Sequence, residues 1–521
     1  MPITASRADT DPVSAAHEAF GLRTDIVDEL AVQRTVDRFR AEGVILPTFA
    51  ELAQPSTIPA ARIAALEGVD RSEPDARNLF RVHWYNHLRP DGGTDPTPAP
   101  VPDHLELPPE LTGVEARIVL ALGNRFPMIG AHKVLAAYAC LVPRLVTGRF
   151  DPSEHRAVWP STGNYARGGV AISRILGCRG VAVLPAGMSQ ARFDWLERWT
   201  LEPERDIIRT PGTESNVKEI YDTCAVLETD PTNAVINQFS EFANHLGHRL
   251  VTGPALERVF EHVTADTPSA RLAAFVSASG SAGTLGAGNH LAARHGCRVV
   301  AAEALECPTL LENGFGEHNI QGIGDKHVPL IHDVFATDDV VAVSDRSTDA
   351  LDALFNTPAG RAHLVDRVGV APEVVDALVH LGYSSICNVL AAIAVAKAHG
   401  YGREDVIVTV ATDGSEMYDA ERRAYLEHRY PDGFGPVEAA EVYGRELASA
   451  DTARHLELTD AERRRIFNLG YFTWVEQQGV PVADFSVRRH RRFWDDMVPF
   501  VDAWDELIAE VNARTGLRGD E

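Results

Sequence analysis

Four short segments of this sequence combine residue types that can do chemistry. Gly130-Ala131-His132-Lys133 places a lysine among apolar neighbours, Met128-Ile129 before it and Val134-Leu135-Ala136-Ala137 after it. An amine that attacks an aldehyde must be neutral, and burial lowers a lysine pKa toward that state. A lone lysine is ordinarily a solvated surface group, so the apolar flanks are what single out Lys133. Pro160-Ser161-Thr162-Gly163-Asn164-Tyr165 follows an apolar run at 157–159. A strand, a polar turn and a helix in that order gather donors at a helix N-terminus, a seat for a carboxylate, although a plain N-cap has the same composition. Ser279-Gly280-Ser281-Ala282-Gly283-Thr284-Leu285-Gly286 follows a second apolar run. Its small residues let backbone N–H groups close around a phosphate at the start of a helix. It is neither GxxxxGK[ST] nor GxGxxG, since Ala282 and Leu291 stand where glycines are required, which excludes the nucleotide and dinucleotide fingerprints. Ala411-Thr412-Asp413-Gly414-Ser415 closes a third run; there a polar side chain faces a bound ring, or the turn merely caps the next helix.

Alternating strands and helices must position these segments. From about 115 to 420, apolar runs at 156–159, 180–184, 272–277, 299–302 and 406–410 alternate with helical patterns at 168–176, 189–199 and 286–295. That is the pattern of a parallel α/β fold, whose ligands sit at the carboxyl ends of the strands. The proline-rich stretch 89–109 holds neither a helix nor a central strand and reads as a connector. A helical pattern at 26–41 precedes it, and charged helical patterns at 421–430, 438–449, 460–468 and 493–512 follow the core. The 521 residues carry 49 Lys+Arg against 74 Asp+Glu, a net charge of −25, which argues against nucleic acid or an anionic membrane surface as partner. No apolar stretch is long enough to span a bilayer, and residues 1–12 lack the apolar segment of a signal peptide. Six scattered cysteines without a CxxC suggest neither a zinc site nor a disulfide framework. A cytoplasmic protein without a metal is the expectation.

Taken in order, the segments resemble the β-family (fold type II) pyridoxal-phosphate enzymes of the tryptophan synthase β superfamily, above all cysteine synthase and cystathionine β-synthase. GAHK at 130–133 is similar to the cofactor-lysine motif of tryptophan synthase β, and STGNY at 161–165 to the family's asparagine loop. Pro185-Ala186-Gly187-Met188-Ser189, Gln238-Phe239, Ala243-Asn244 and Thr252-Gly253-Pro254 resemble further family runs. So do the glycine loop, His318-Asn319-Ile320-Gln321-Gly322-Ile323-Gly324 and Gly382-Tyr383-Ser384-Ser385. The resemblance covers roughly 125–420.

The resemblance implies two α/β domains with parallel sheets and pyridoxal 5'-phosphate between them. The large cofactor-binding domain would span 111–155 and 250–420 and the small mobile domain 156–249, flanked by extensions at 1–110 and 421–521. Lys133 would form the Schiff base and act as base. Asn164 would bind the ring hydroxyl. Gly280, Ser281, Ala282, Gly283 and Thr284 would cradle the phosphate, helped by His132. Ser161, Thr162 and Gln238 would bind the substrate carboxylate. The residue facing the ring nitrogen falls among Thr412, Asp413 and Ser415. A hydroxyl there leaves the nitrogen unprotonated, whereas an aspartate favours a pyridinium and a deeper electron sink. The implied reaction is β-elimination or β-replacement on a small β-substituted amino acid, as in a cysteine synthase or cysteine desulfhydrase; a serine/threonine dehydratase and a non-catalytic cofactor-binding protein are the alternatives. A homodimer is expected. Two departures stand out. Val134-Leu135 replace the Asp-Arg that usually follows the lysine of cysteine synthases, and Tyr165 replaces the threonine after the loop asparagine.

Overall fold

The computed structural model describes residues 11–89, 91–161, 163–188, 190–212, 217–324 and 326–517. Among the described residues, eleven strands form two sheets. The larger contains β1 (His104–Leu107), β2 (Arg117–Leu122), β7 (Arg271–Ala278), β8 (Arg298–Ala304), β9 (Asp339–Val343), β10 (Asp405–Ala411) and β11 (His455–Glu457). Their order is β1-β2-β10-β7-β8-β9-β11. The five inner strands are mutually parallel, and β1 and β11 close the edges antiparallel. The smaller sheet is parallel throughout and holds β3 (Arg156–Pro160), β4 (Arg179–Pro185), β5 (Ile207–Thr210) and β6 (Asn233–Val235), ordered β5-β4-β3-β6.

The inner strands read as continuous apolar runs because both of their faces are covered. Val119, Phe275, Val299, Val406 and Val408 point into one core, and Ile118, Leu120, Ala274, Val276, Val300 and Ile407 into the other. The helix Tyr383–His399 lies across the second face and is buried from Tyr383 to Ala396. Fully burying a Val, Leu or Phe side chain contributes roughly 1.5–3 kcal/mol, so the strand order is strongly specified. The expected strands and helices of the core are all present. β1 lies inside the proline-rich connector, where an edge strand tolerates what a central one would not.

The extensions differ from their expected form. The helix expected over 26–41 runs Glu29–Glu42; Asp28 Oδ1 accepts from the amides of Leu30 and Ala31, and Gly43 at φ 69° ends it. The helix expected over 493–512 is two, Arg491–Asp495 and Pro499–Thr515; Pro499 opens the second, where its missing donor costs nothing. The C-terminal extension also contributes β11, which pairs with β9 through Val341, Val340 and Asp339. Both extensions pack on each other: Asp505 accepts from the amides of Phe49 (2.6 Å) and Ala50 (2.9 Å), and Asn512 exchanges hydrogen bonds with the Leu46 backbone. All six cysteines are buried. Among the described residues, no helix is long and apolar enough to cross a membrane.

Candidate active site

A cleft opens between the two sheets at the carboxyl ends of their strands, and Lys133 stands in it as the first residue of the helix Lys133–Val146. The approach to this helix is conformationally costly. Met128 and Gly130 take φ values of 67° and 61°, and a non-glycine in the left-handed region costs on the order of 1 kcal/mol or more. Lys133 Nζ lies 3.4 Å from Gln238 Oε1, and Gln238 Nε2 lies 3.4 Å from Ser161 Oγ. A Cβ on Gly168 would come within 3.0 Å of the Lys133 carbonyl, so the glycine lets the helix Asn164–Ile175 rest against the lysine.

His132 is buried behind the lysine. Its ring stacks on Trp84 at 5.4 Å, and its Nε2 is 3.5 Å from Thr284 Oγ1. Burial and then the Lys133 charge push its pKa down to about 3, so the imidazole is neutral. Trp84 comes from the N-terminal extension and donates to Thr252 Oγ1 at 2.9 Å. One wall of the site is therefore built by a segment with no motif to announce it.

The loop after β7 turns tightly because small residues are obligatory there. A Cβ on Gly280 would lie 2.6 Å from the Gly322 carbonyl oxygen, and one on Gly283 would lie 2.3 Å from Asn244 Oδ1. Ala282 adopts φ 65°. Thr284 precedes the helix Leu285–His295, and Asn244 Nδ2 donates to Ser281 Oγ (3.1 Å) and to the Gln238 carbonyl (3.0 Å). The strap containing Gln321, Gly322 and Ile323 folds onto this loop, with the Gly324 amide donating to the Ser279 carbonyl at 3.0 Å. Backbone N–H groups at the mouth of a helix are thus presented to the cleft, as an oxyanion requires.

Asn164 begins the helix after β3. Its Nδ2 donates to Asp413 Oδ2 at 2.7 Å, and its Oδ1 accepts from Arg167 Nη1 at 3.1 Å. Asp413 Oδ2 also accepts from Tyr418 at 2.9 Å, while Oδ1 is buried without a hydrogen-bond partner. Burial raises this carboxyl's pKa against the opposing hydrogen bonds of Asn164 and Tyr418. Gly382 makes room for it, since a Cβ there would lie 2.2 Å from Oδ1. Thr412 lines the cleft with Asp413, whereas Ser415 is turned away and donates to Asn356 Oδ1 at 3.0 Å. Tyr165 packs against Trp159 and donates to the Ile236 carbonyl at 3.3 Å. The structure thus brings Lys133, His132, Ser161, Asn164, Gln238, the glycine loop, Thr412 and Asp413 together; Thr162 lies outside the described residues.

Two arginines that sequence reading passed over belong to this neighbourhood. Arg167 follows Asn164 by one helical turn, and Arg192 is buried against Gly163 with Nε and Nη1 unpartnered. Away from the cleft, three side chains of metal-ligating type converge. Asp339 Oδ1 accepts from His399 (3.0 Å) and His455 (2.8 Å). Arg298 Nε already donates to the other oxygen at 2.7 Å, so the group is a charge-balanced tie between β9 and β11.

A model of the family described as "Pyridoxal-phosphate dependent enzyme" matches residues 96–413. The cysteine synthase of Staphylococcus aureus (strain Mu50) is 28% identical over 291 residues, 56% of this chain and 83% of that protein. Cysteine synthase B of Campylobacter jejuni is 26% identical over 255 residues, 48% of this chain and 74% of its own. The solved structure of cysteine synthase from Entamoeba histolytica matches with a TM-score of 0.52 at 19% identity, over 66% of this chain and 93% of that one, a likeness of fold.

Proposed function

Because the chain belongs to the pyridoxal-phosphate dependent enzyme family, we propose that it performs β-elimination or β-replacement on a small β-substituted L-amino acid, with Lys133 as cofactor lysine and base. The observation that carries this reading is the convergence of Lys133, the glycine loop and Asp413 on one cleft between two parallel sheets. The residues present fit the cofactor. Only glycine fits at 280 and 283, where the loop mouth would take a phosphate, and the unpartnered Asp413 Oδ1 suits a protonated ring nitrogen. Asn164 would hold the ring hydroxyl, and Thr284 with neutral His132 the phosphate edge. Thr412 shares the strand end with Asp413.

Pyridoxal phosphate, when bound, supplies the electron sink for negative charge developing at the substrate's α-carbon. The chain's own groups do the rest. Ser161, Thr162 and Gln238 bind the substrate carboxylate and fix its α-hydrogen toward Lys133. Lys133 Nζ, beside Gln238 and amid the apolar residues 134–137, takes that proton as general base. The leaving group then departs from the β-carbon, and a thiol or sulfide takes its place, or water ends the cycle as pyruvate and ammonia. We assign 156–249, which contains the smaller sheet, as the mobile domain whose closure would exclude water. A cytoplasmic homodimer completes the reading; six scattered cysteines without a CxxC suit a reducing compartment.

Incubation with O-acetyl-L-serine, with and without sulfide, tests the proposal. Cysteine formed only with sulfide indicates replacement, and pyruvate formed without it indicates elimination. Lys133→Ala must abolish both, along with the borohydride-fixed attachment of the cofactor. A Lys133→Ala protein that keeps either activity removes the proposal.

A further inference from the structure

Beside the reaction cleft lies a second cavity of about 500 Å³, lined by Arg167, Arg174 and Arg198, by Trp195 and Trp199, and by Glu73 at its exposed rim. We propose that it is an anion site, shaped for a phosphate, a sulfonate or a second carboxylate. In a chain of net charge −25, an arginine readily finds a carboxylate, as Arg298 does with Asp339 and Arg125 with Asp103. Arg167, Arg174, Arg192 and Arg198 have no carboxylate partner among the described residues. Arg174 donates only to the Trp199 carbonyl (3.0 Å) and Arg198 to the Asp194 carbonyl (3.3 Å).

Burial makes the absence of a counter-charge costly. Arg167 and Arg192 are 5% and 3% exposed, and both keep unpartnered nitrogens, Nε on the first and Nε and Nη1 on the second. Arg167 donates through Nη1 to Asn164 Oδ1 (3.1 Å) and through Nη2 to the Ile129 carbonyl (3.5 Å), which leaves its Nε over. Burial, then the neighbouring Arg192, lowers the Arg167 pKa to about 10. An anion entering the cavity would supply an acceptor to Arg167, which lines it, while Arg192 lies behind it and adds only its charge. Trp195 and Trp199 stack at 4.8 Å, with the Arg167 guanidinium 4.9 Å from the Trp195 ring, so the guanidinium is aimed before any ligand arrives. Arg167 also holds Asn164 Oδ1, and Arg192 lies against Gly163. The site therefore touches the loop assigned to the substrate carboxylate. Its anion has two sources, the substrate's own β-substituent, which rests on the proposed reaction, or a separate small anion.

The test titrates sodium sulfate into the cofactor-loaded protein at constant ionic strength, read by calorimetry and tryptophan fluorescence. Saturable binding is expected, weakened roughly tenfold or more in Arg174→Gln/Arg198→Gln, since each charge-assisted hydrogen bond accounts for about that factor. Both positions are near the surface, so folding should be unaffected; Arg192→Lys, which keeps the charge, should bind sulfate nearly as wild type. No saturation, or equal affinity in the double variant, overturns the proposal. A preference for O-phospho-L-serine over O-acetyl-L-serine that disappears in the double variant assigns the anion to the substrate. A sulfate effect on O-acetyl-L-serine turnover without that preference assigns it to a separate ligand. Sulfate binding is measurable even if Lys133 supports no turnover, so the two readings fail separately.

Discussion

Asp413→Asn separates a cofactor-binding role from a structural one. The Asp413 carboxylate is buried, accepts two hydrogen bonds through Oδ2 and none through Oδ1. Its folded pKa lies above the unfolded value of 3.8, so the ionised group opposes folding at neutral pH. Removing the charge should leave the Tm of the cofactor-free protein unchanged or higher. If Asp413 partners a protonated ring nitrogen, the same change deletes a charge-assisted hydrogen bond of about 1.5–3 kcal/mol. That corresponds to a roughly 10- to 150-fold rise in the Kd for pyridoxal phosphate. Titrating the cofactor into the stripped protein, with absorbance and fluorescence as readouts, gives the affinity, and a parallel melt gives the stability. An unchanged Kd and absorbance maximum would refute the assignment. A fall in Tm equal to the loss in affinity would mark Asp413 as a structural tie for Asn164 and Tyr418.

Three further outcomes follow from the geometry. Gly283→Ala would set a Cβ 2.3 Å from Asn244 Oδ1 and push away the side chain that holds Ser281; cofactor affinity should fall at least roughly tenfold while the fold persists at an overpacking cost of about 1–3 kcal/mol, and wild-type affinity would refute the cradle. Trp84→Ala should cost about 3–5 kcal/mol in denaturant unfolding, and Trp84→Phe clearly less, because the ring fills the space over His132; a neutral Trp84→Ala would detach the extension from the site. Burial holds His132 and His327 neutral at pKa values of about 3 and 4, so stability present above pH 6.5 should fall by roughly 1 kcal/mol per pH unit for each below it. Burial raises the Asp339 pKa, but hydrogen bonds from His455 and Arg298 outweigh it and bring it to about 2, so its contribution is lost only below about pH 4; a Tm unchanged between pH 7 and 4.5 would contradict the histidine assignment.

What the sequence made legible was what a local backbone demands. β7, β8 and β10 show as apolar runs because both faces of each are covered, and the glycine loop shows because Gly280 and Gly283 have no room for a Cβ. β5, β6 and β11 span only three or four residues and are largely half-buried, too short for any periodicity to register. β11 pairs with β9 only because tertiary packing brings 455–457 there, so a charged, helix-rich tail concealed a strand. Helix Lys133–Val146 is buried almost all round; it therefore has no amphipathic stripe and read only as an apolar flank. Arg167, Arg192 and Trp84 carry no motif, and their significance arises where three distant segments meet. Asp413 fell between: the sequence confined the ring-facing group to three residues, and only folding showed Ser415 bonded to Asn356 instead.

The extensions are built into the catalytic body. Trp84 forms the back of the His132 wall, and the Arg71 carbonyl accepts from the Met128 amide at 2.7 Å, holding the strained approach to Lys133. Arg249, just after the helix Phe242–Gly247, donates to the Trp494 carbonyl and to Asp495, both at 2.8 Å. Trp474 reaches the Val328 carbonyl at 2.7 Å. The Trp84 and Arg71 contacts hold the approach to Lys133, so loss of the N-terminal extension would disturb it as well as total stability, and the other two tie the C-terminal extension to the core. A strained residue such as Met128 persists only where its surroundings over-determine it, and here those surroundings come from the N-terminal extension. The added length thus contributes contacts to the segment that leads into Lys133.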